Sequence, residues 1–236
     1  DEVEIAGYFR SIQDGDDVLL IMGGGEAITG MSLIILQELK RANVTLLYIC
    51  PDEGVSTQVQ KRDHKIVGSV LQEYARSGMF DRIFLVDRAA VEDLVGDVAI
   101  RDYEKSINYF IAYVVAMVNY YDHTAAVMSN RASVATISRI GTFGIGSLEE
   151  HSEIKYLFEL GTCQDTHHYY GIPAPELEEN NQLLRKIKDQ TKLATQEGVD
   201  TSFSVYSTTF DDLMVLCTAY TKDVQAVSAG LDVTSS

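Results

Sequence analysis

The chain has 236 residues, more than the usual single domain, so one large α/β unit or two closely packed domains is expected. Its 35 acidic and 19 basic residues leave a formal charge of −16, a mean field that repels phosphate backbones and argues against nucleic acid as a partner. No apolar run approaches the roughly 20 residues needed for a membrane span, the opening DEVEIAGYF lacks the basic and apolar parts of a secretory leader, and Cys50, Cys163 and Cys217 are too few and scattered for a disulfide framework or a paired-cysteine zinc knuckle; a reducing, cytoplasmic setting is expected.

Asp17–Met22 (DVLLIM) predicts a short strand running into three glycines, and Met31–Arg41, with Leu33, Ile34, Leu36 and Leu39, predicts a helix. Val44–Cys50 (VTLLYIC) is continuous and β-branched before Pro51, as a strand buried on both faces of a parallel sheet should be. Together these make a βαβ unit with a right-handed crossover. The pattern repeats. Ser56–Ser77 predicts a helix with Val59, Ile66, Val70 and Tyr74 inward and Gly78 as its stop, and Asp81–Asp87 predicts a third parallel strand. Arg101–Tyr121 has no Gly or Pro and becomes apolar nearly all round after Ile107, which predicts a long, buried central helix with neighbours on several sides. Beyond it the texture predicts a shorter helix over Ala132–Ile140 and strands over Gly141–Gly146 and Glu153–Leu160. A charged helix should run from Pro175 to about Gln196, followed by a hairpin-like pair of strands, Ser202–Ser207 and Leu213–Tyr220, across TTFDD. The tail SAGLDVTSS is expected to fray.

A glycine loop between strand and helix binds phosphate because glycine lets backbone N–H groups approach a ligand and the helix N-terminus favours negative charge. Gly23, Gly24, Gly25 and Gly30 stand in that context, without the spacing of a dinucleotide fingerprint or a P-loop; a tight structural turn would use the same residues.

DVLLIMGGGEAITGMSLIILQELKRANVTLLYICP resembles the segment of FtsZ and the tubulins that carries the phosphate loop G-G-G-T-G-[TS]-G. Asp81–Asp87 is similar to the strand before that family's central helix, and Ser106-Ile107-Asn108-Tyr109 lies where the family places the Asn that reads the guanine edge. DTSFSVYSTTFDDLMVLCTAYTKD resembles the closing strand pair of the FtsZ second domain. The resemblance implies an α/β fold: a parallel, three-layer nucleotide-domain remnant over 1–121 with the central helix at 101–121, then a smaller α+β second domain over 122–236. It also implies nucleotide contacts from Gly23, Gly24, Gly25, Thr29, Gly30 and Asn108, with GTP or GDP and magnesium as the cofactor.

Three departures qualify that implication. Glu26-Ala27-Ile28-Thr29 replaces the loop's T-G-[TS]-G, losing two glycines and placing a carboxylate where polyphosphate oxygens would lie. The family's hydrolysis loop, N-x-D-x-x-D, aligns with Val127-Met128-Ser129-Asn130-Arg131-Ala132, which has no acid; the nearest is Asp122, beside His123, and each also reads as a cap or solvated loop residue. The family's first strand and first glycine-rich loop would precede Asp1, so the chain is expected to be part of a longer product.

Elsewhere, Cys163, Asp165, His167 and His168 match no common zinc spacing, and no metal site is expected. No nucleophile elbow or catalytic cysteine setting occurs. Tyr120–Tyr121 and Tyr169–Tyr170 read as packing or as interface anchors. In the helix 176–196, early acids and late bases suit the helix dipole of a solvated face. The expected function is a tubulin/FtsZ-like structural or cytoskeletal protein that assembles head to tail with copies of itself or a related subunit into filaments or rings, with hydrolysis lost. The alternatives are an active GTPase of the same fold and an unrelated α/β enzyme with a small-molecule site at the strand carboxyl ends.

Overall fold

The computed structural model describes residues 7–148, 153–194, 197–209 and 213–227. Three parallel strands open the sheet: β1 (Asp17–Gly23), β2 (Asn43–Cys50) and β3 (Arg82–Asp87), with β1 at the edge. Their apolar runs are long enough to bury both faces. Met22, Leu46, Tyr48, Ile83 and Leu85 face one layer, formed by α1 (Ser32–Glu38) and α2 (Gln58–Ser77). Leu47, Phe84 and Val86 face the other, formed by α3 (Arg88–Val95) and α4 (Tyr103–Asp122). The result is a helix–sheet–helix sandwich.

Local chemistry sets the element ends. Thr57 and Gln60 form a reciprocal capping box at the start of α2, and Gly78, with φ 80°, ends it in the left-handed conformation that glycine adopts without a Cβ penalty. Asp87 ends β3 and caps α3 by accepting the Ala89 amide at 2.9 Å.

The rest of the chain extends the same sheet. Its strands are β4 (Met128–Ser129), β5 (Ile140–Ser147), β6 (Lys155–Tyr156), β7 (Asp165–Pro173), β8 (Asp200–Thr208) and β9 (Met214–Thr221), in the spatial order β1-β2-β3-β5-β9-β7-β8-β4 with β6 on β5. The β3–β5 ladder holds two residue pairs, Ile83↔Ile140 and Phe84↔Gly141, whereas β5 and β9 pair along their full lengths. Helices α5 (Ala174–Glu179) and α6 (Leu183–Ala194) follow β7, and Leu183 and Ile187 of α6 close a third core over Tyr170, Ile172, Val205 and Val215. Among the described residues, no helix is long and apolar enough to cross a membrane.

Several expectations are corrected. Val59 and Ile66 of α2 are 59% and 56% exposed, and the inward face is His64, Gly68, Leu71, Gln72 and Ala75. Apolar periodicity fails there because the packed face must meet hydrogen-bonding backbone. α4 buries Ile107, Ile111, Val114, Val118 and Tyr121 on one side and exposes Tyr109 and Tyr120, so it is covered on one face rather than all round. Residues 132–139 form no helix, and the Glu153–Leu160 strand shrinks to β6. The charged helix breaks at Asn180, whose side chain accepts the Gln182 amide and donates to Glu176; Gln196 lies outside the described residues. β8 and β9 are no hairpin, because β7 lies between them, parallel to β8 and antiparallel to β9. Neither β7 nor α3 was expected from the sequence. The tail 228–236 lies outside the described residues.

Candidate functional site at the two ends of the parallel strands

Parallel strands give the sheet a polarity, and the glycine loop follows β1 at the carboxyl end. The Gly24 amide donates to Ile49 O at 2.8 Å, extending the β1–β2 ladder by one step, and Gly25 turns the chain with φ 74°. Residues Ala27–Met31 then make a 3₁₀ turn before the seven-residue α1. Buried Thr29 closes the loop on itself: its hydroxyl donates to Gly23 O at 2.6 Å and its amide to Glu26 O at 3.0 Å. The Glu26 carboxylate folds over Gly23, where a Cβ would lie 2.7 Å from Oε1.

The field at this end is negative. Asp52, Glu53 and Asp87 stand at the ends of β2 and β3, and the Asp87 carboxyl is pushed above the usual range by burial and by those two neighbours. Asp52 Oδ1 accepts the Gly54 amide at 2.6 Å, so it also organises its own turn. A bare polyphosphate does not fit this arrangement. The Gly24 amide and Thr29 hydroxyl already have partners, and a carboxylate lies across the loop. Asn108 is exposed on the first half of α4, near a cleft of about 800 Å³ against α3 lined by Val95, Val98, Lys105, Ser106 and Tyr109.

Beneath the loop is a network that the sequence reading missed. His64 Nε2 donates to Val227 O at 2.7 Å, which leaves Nδ1 to accept from Tyr48 OH at 2.9 Å. Burial lowers the His64 pKa, consistent with a neutral ring. Eight residues further along α2, Gln72 Oε1 accepts the Gln225 amide at 2.7 Å and its Nε2 donates to Gln225 O at 3.1 Å. The Gln225 side chain in turn accepts Gly161 N and donates to Asp223 O. The segment after β9 is therefore strapped across α2 and reaches the floor of the glycine loop. Replacing Gln72 by leucine strands both backbone groups of buried Gln225, and an expected loss of about 2–3 kcal/mol follows from two unsatisfied groups. Urea unfolding measures the loss, and hydrogen exchange at the Gln225 amide locates it.

At the amino end of the strands, α4 delivers Asp122. Its Oδ1 accepts from Arg131 Nη1 at 2.5 Å and from Tyr169 OH at 2.9 Å, while the Arg131 guanidinium lies over the Tyr169 ring. Residues 127–131 are fixed as a strand edge. Val127 N donates to Val205 O, Ser129 and Ser204 share a hydroxyl hydrogen bond at 2.7 Å, and Asn130 Oδ1 accepts Phe203 N at 2.7 Å. Beside them a cavity of about 490 Å³ opens between the strand starts and the end of α4. Its floor is Leu47, Phe84, Val115 and Val118, and Arg82 and Arg131 stand in its wall.

His167 and His168 point to opposite faces of β7. His167 Nδ1 shares a hydrogen bond with Ser202 at 2.8 Å, and His168 stacks on Tyr170. Burial, with Arg131 adding to it, pushes His167 down to about 3, and burial pushes His168 down to about 4. The Cys163 thiol donates to Asp165 O at 3.4 Å. Among the described residues, no group of three or more His, Cys, Asp or Glu could hold a metal ion. The sequence clue to the network beneath the loop was the two polar residues, His64 and Gln72, in the middle of an amphipathic helix.

No protein-family model matches the sequence, and no curated protein matches it. Solved structures do match. A GTPγS-form protofilament of TubZ from Bacillus thuringiensis serovar israelensis superposes with a TM-score of 0.67 at 11% identity, over 93% of this chain and 65% of that one. An empty FtsZ dimer from M. jannaschii gives 0.66 at 12% identity, over 96% and 69%. GDP-form protofilaments of the same TubZ give 0.62 at 13% identity, over 94% and 67%. The chain thus spans just under two thirds of the first TubZ chain. What is shared at this identity is architecture: the chain has the fold found in TubZ and FtsZ.

Proposed function

We propose that this chain is an assembly subunit of the tubulin/FtsZ type that associates head to tail with copies of itself or a related subunit and does not hydrolyse nucleotide. The observation that carries the reading is the superposition on TubZ in its protofilament form over 93% of the chain. The polarity of the sheet supports it. The glycine loop lies at the carboxyl end of β1–β3 and the Asp122–Arg131 pair at the amino end, so an end-to-end repeat brings the two together. Residues 1–121 and 122–236 serve as two lobes of one sheet, joined through the short β3–β5 pairing, the strap across α2 and shared cores.

Loss of hydrolysis rests on the same geometry. Residues 127–132 carry no acid and pair with β8, and Asp122 is engaged by Arg131 and Tyr169 rather than free to polarise a water. Clear magnesium-dependent phosphate release from GTP by assembled protein would overturn this; none above the protein-free rate is expected. The second reading, a working GTPase, is favoured by the glycine loop alone. It requires magnesium to neutralise Glu26 and its neighbours, with Gly23, Gly24, Gly25, Thr29, Gly30 and Asn108 holding the nucleotide. Chromatography of the purified protein separates the two: near one guanine nucleotide per chain supports the GTPase, and none supports the structural subunit.

A further inference from the structure

Residues 222–227 belong by sequence to the second lobe, yet they pack as part of the first. Val224 and Val227 join the core of Met22, Tyr48, Leu71 and Ile83. Gly68 lets the segment lie close on α2, since a Cβ there would stand 3.0 Å from Val227 Cγ2. The segment runs antiparallel to α2, with Gln225 beside Gln72 and Val227 beside Gly68 and His64, so it arrives under the glycine loop. On its other side it is held by residues 161–164, which precede β7. Gln225 Oε1 accepts Gly161 N at 2.7 Å, Thr162 Oγ1 donates to Asp223 Oδ2 at 2.9 Å, and Gln164 Oε1 accepts Lys222 N at 2.7 Å.

We propose that this strap is a latch between the lobes: residues 222–227, His64 and the loop 23–29 open and close as one cooperative unit, and displacement of residues 161–164 is passed through it to the glycine loop. The link at each step is a buried polar contact. Fully buried His64 commits Nε2 to Val227 O, and its Nδ1 and the Tyr48 hydroxyl are the groups on which Gly24 rests. When Val227 leaves, a buried N–H loses its acceptor, so the imidazole must turn toward water and the seat of Gly24 goes with it. When Gly161 pulls away, Gln225 loses the bond that holds it against α2 from the far side. In the closed unit the Gly24 amide is occupied by Ile49 O and the Thr29 hydroxyl by Gly23 O; opening frees both. The latch thus decides whether the loop can offer these donors to a ligand. It does not depend on head-to-tail association. Low-stability units of this kind, opening without the rest of the molecule, are where proteins place moving parts.

The test is native-state hydrogen exchange of the full chain, following the Gly24 and Thr29 amides in the loop, the Gln225 amide in the strap and amides in the middle of β8 as reference. In the wild type, Gly24, Thr29 and Gln225 should exchange through one common opening, faster than β8. Gln225→Ala removes the bonds to Gly161 N and Asp223 O but no side-chain bond to α2 or to the loop. It should quicken all three amides together by about tenfold, and Gln72→Leu should quicken them further. Ile187→Val, in the separate core under α6, is the control and should leave them unchanged. The latch is overturned if Gln225→Ala quickens Gln225 while Gly24 keeps its rate, because the strap then frays alone. It is equally overturned if Gly24 exchanges only with β8, a result the wild type alone can give, because the loop then opens only when the whole molecule unfolds.

Discussion

Replacing Gly24 by valine is expected to destabilise the protein by about 3 kcal/mol, from overpacking and the loss of two buried hydrogen bonds. A Cβ at this buried position would lie 2.5 Å from His64 Nδ1, 2.8 Å from Tyr48 OH and 2.9 Å from Pro51 Cδ. None of the three can retreat. His64 is held by Val227 O, the Tyr48 side chain is fully buried and stacked on His64, and the Pro51 ring is part of the backbone. Gly24 does not have the positive φ of Gly25, so the effect is steric rather than conformational. Gly30 is the control within the same loop, since nothing lies within 4 Å of its Cβ position; Gly30→Ala is expected to change stability by less than about 0.5 kcal/mol. Urea denaturation compares them. Equal, small effects at both positions would remove the claim that the loop is seated on the strap across α2.

Acidification is expected to destabilise the fold steeply. His167 and His168 are 2% and 1% exposed, and among the described residues His167 Nε2 and His168 Nδ1 have no hydrogen-bond partner, so both rings are held neutral. Their pKa values, about 3 and about 4, lie below the unfolded value of 6.5. The unfolded chain therefore binds more protons as pH falls, and stability is complete above the unfolded pKa and declines below it until the folded values are reached. Between about pH 8 and pH 5 the two rings together should remove about 4 kcal/mol. His64, also lowered by burial, acts in the same direction, while the raised Asp87 opposes the loss only at lower pH. In His168→Leu, about half of that decline should disappear, whatever the substitution does to stability at pH 8. Equal pH slopes for wild type and variant would show that these rings are not the groups responsible.

The first half of the fold was legible because parallel strands buried on both faces read as unbroken apolar runs, and VTLLYIC and RIFLV each mark a strand between breakers. The second half resisted for the opposite reason. Most of β7 is buried, yet it reads DTHHYYGIP, with Thr166, His167 and His168 inside, so neither alternation nor apolarity reveals it. Missing β7 made β8 and β9 look like a hairpin. The glycine loop was visible as a motif, but the partners that fix it were not. His64 meets Val227 across 163 residues, a pairing that only the folded chain brings together. Asp122 was found by position after the central helix, whereas its partner Tyr169 lies on the strand that the pattern hid.

Electron microscopy of the purified full chain, with and without GTP and magnesium, tests the central claim most directly. The head-to-tail reading predicts filaments or rings of one repeating subunit orientation, growing with protein concentration. Monodisperse particles, or closed two-fold dimers, at every concentration and in both conditions would contradict it.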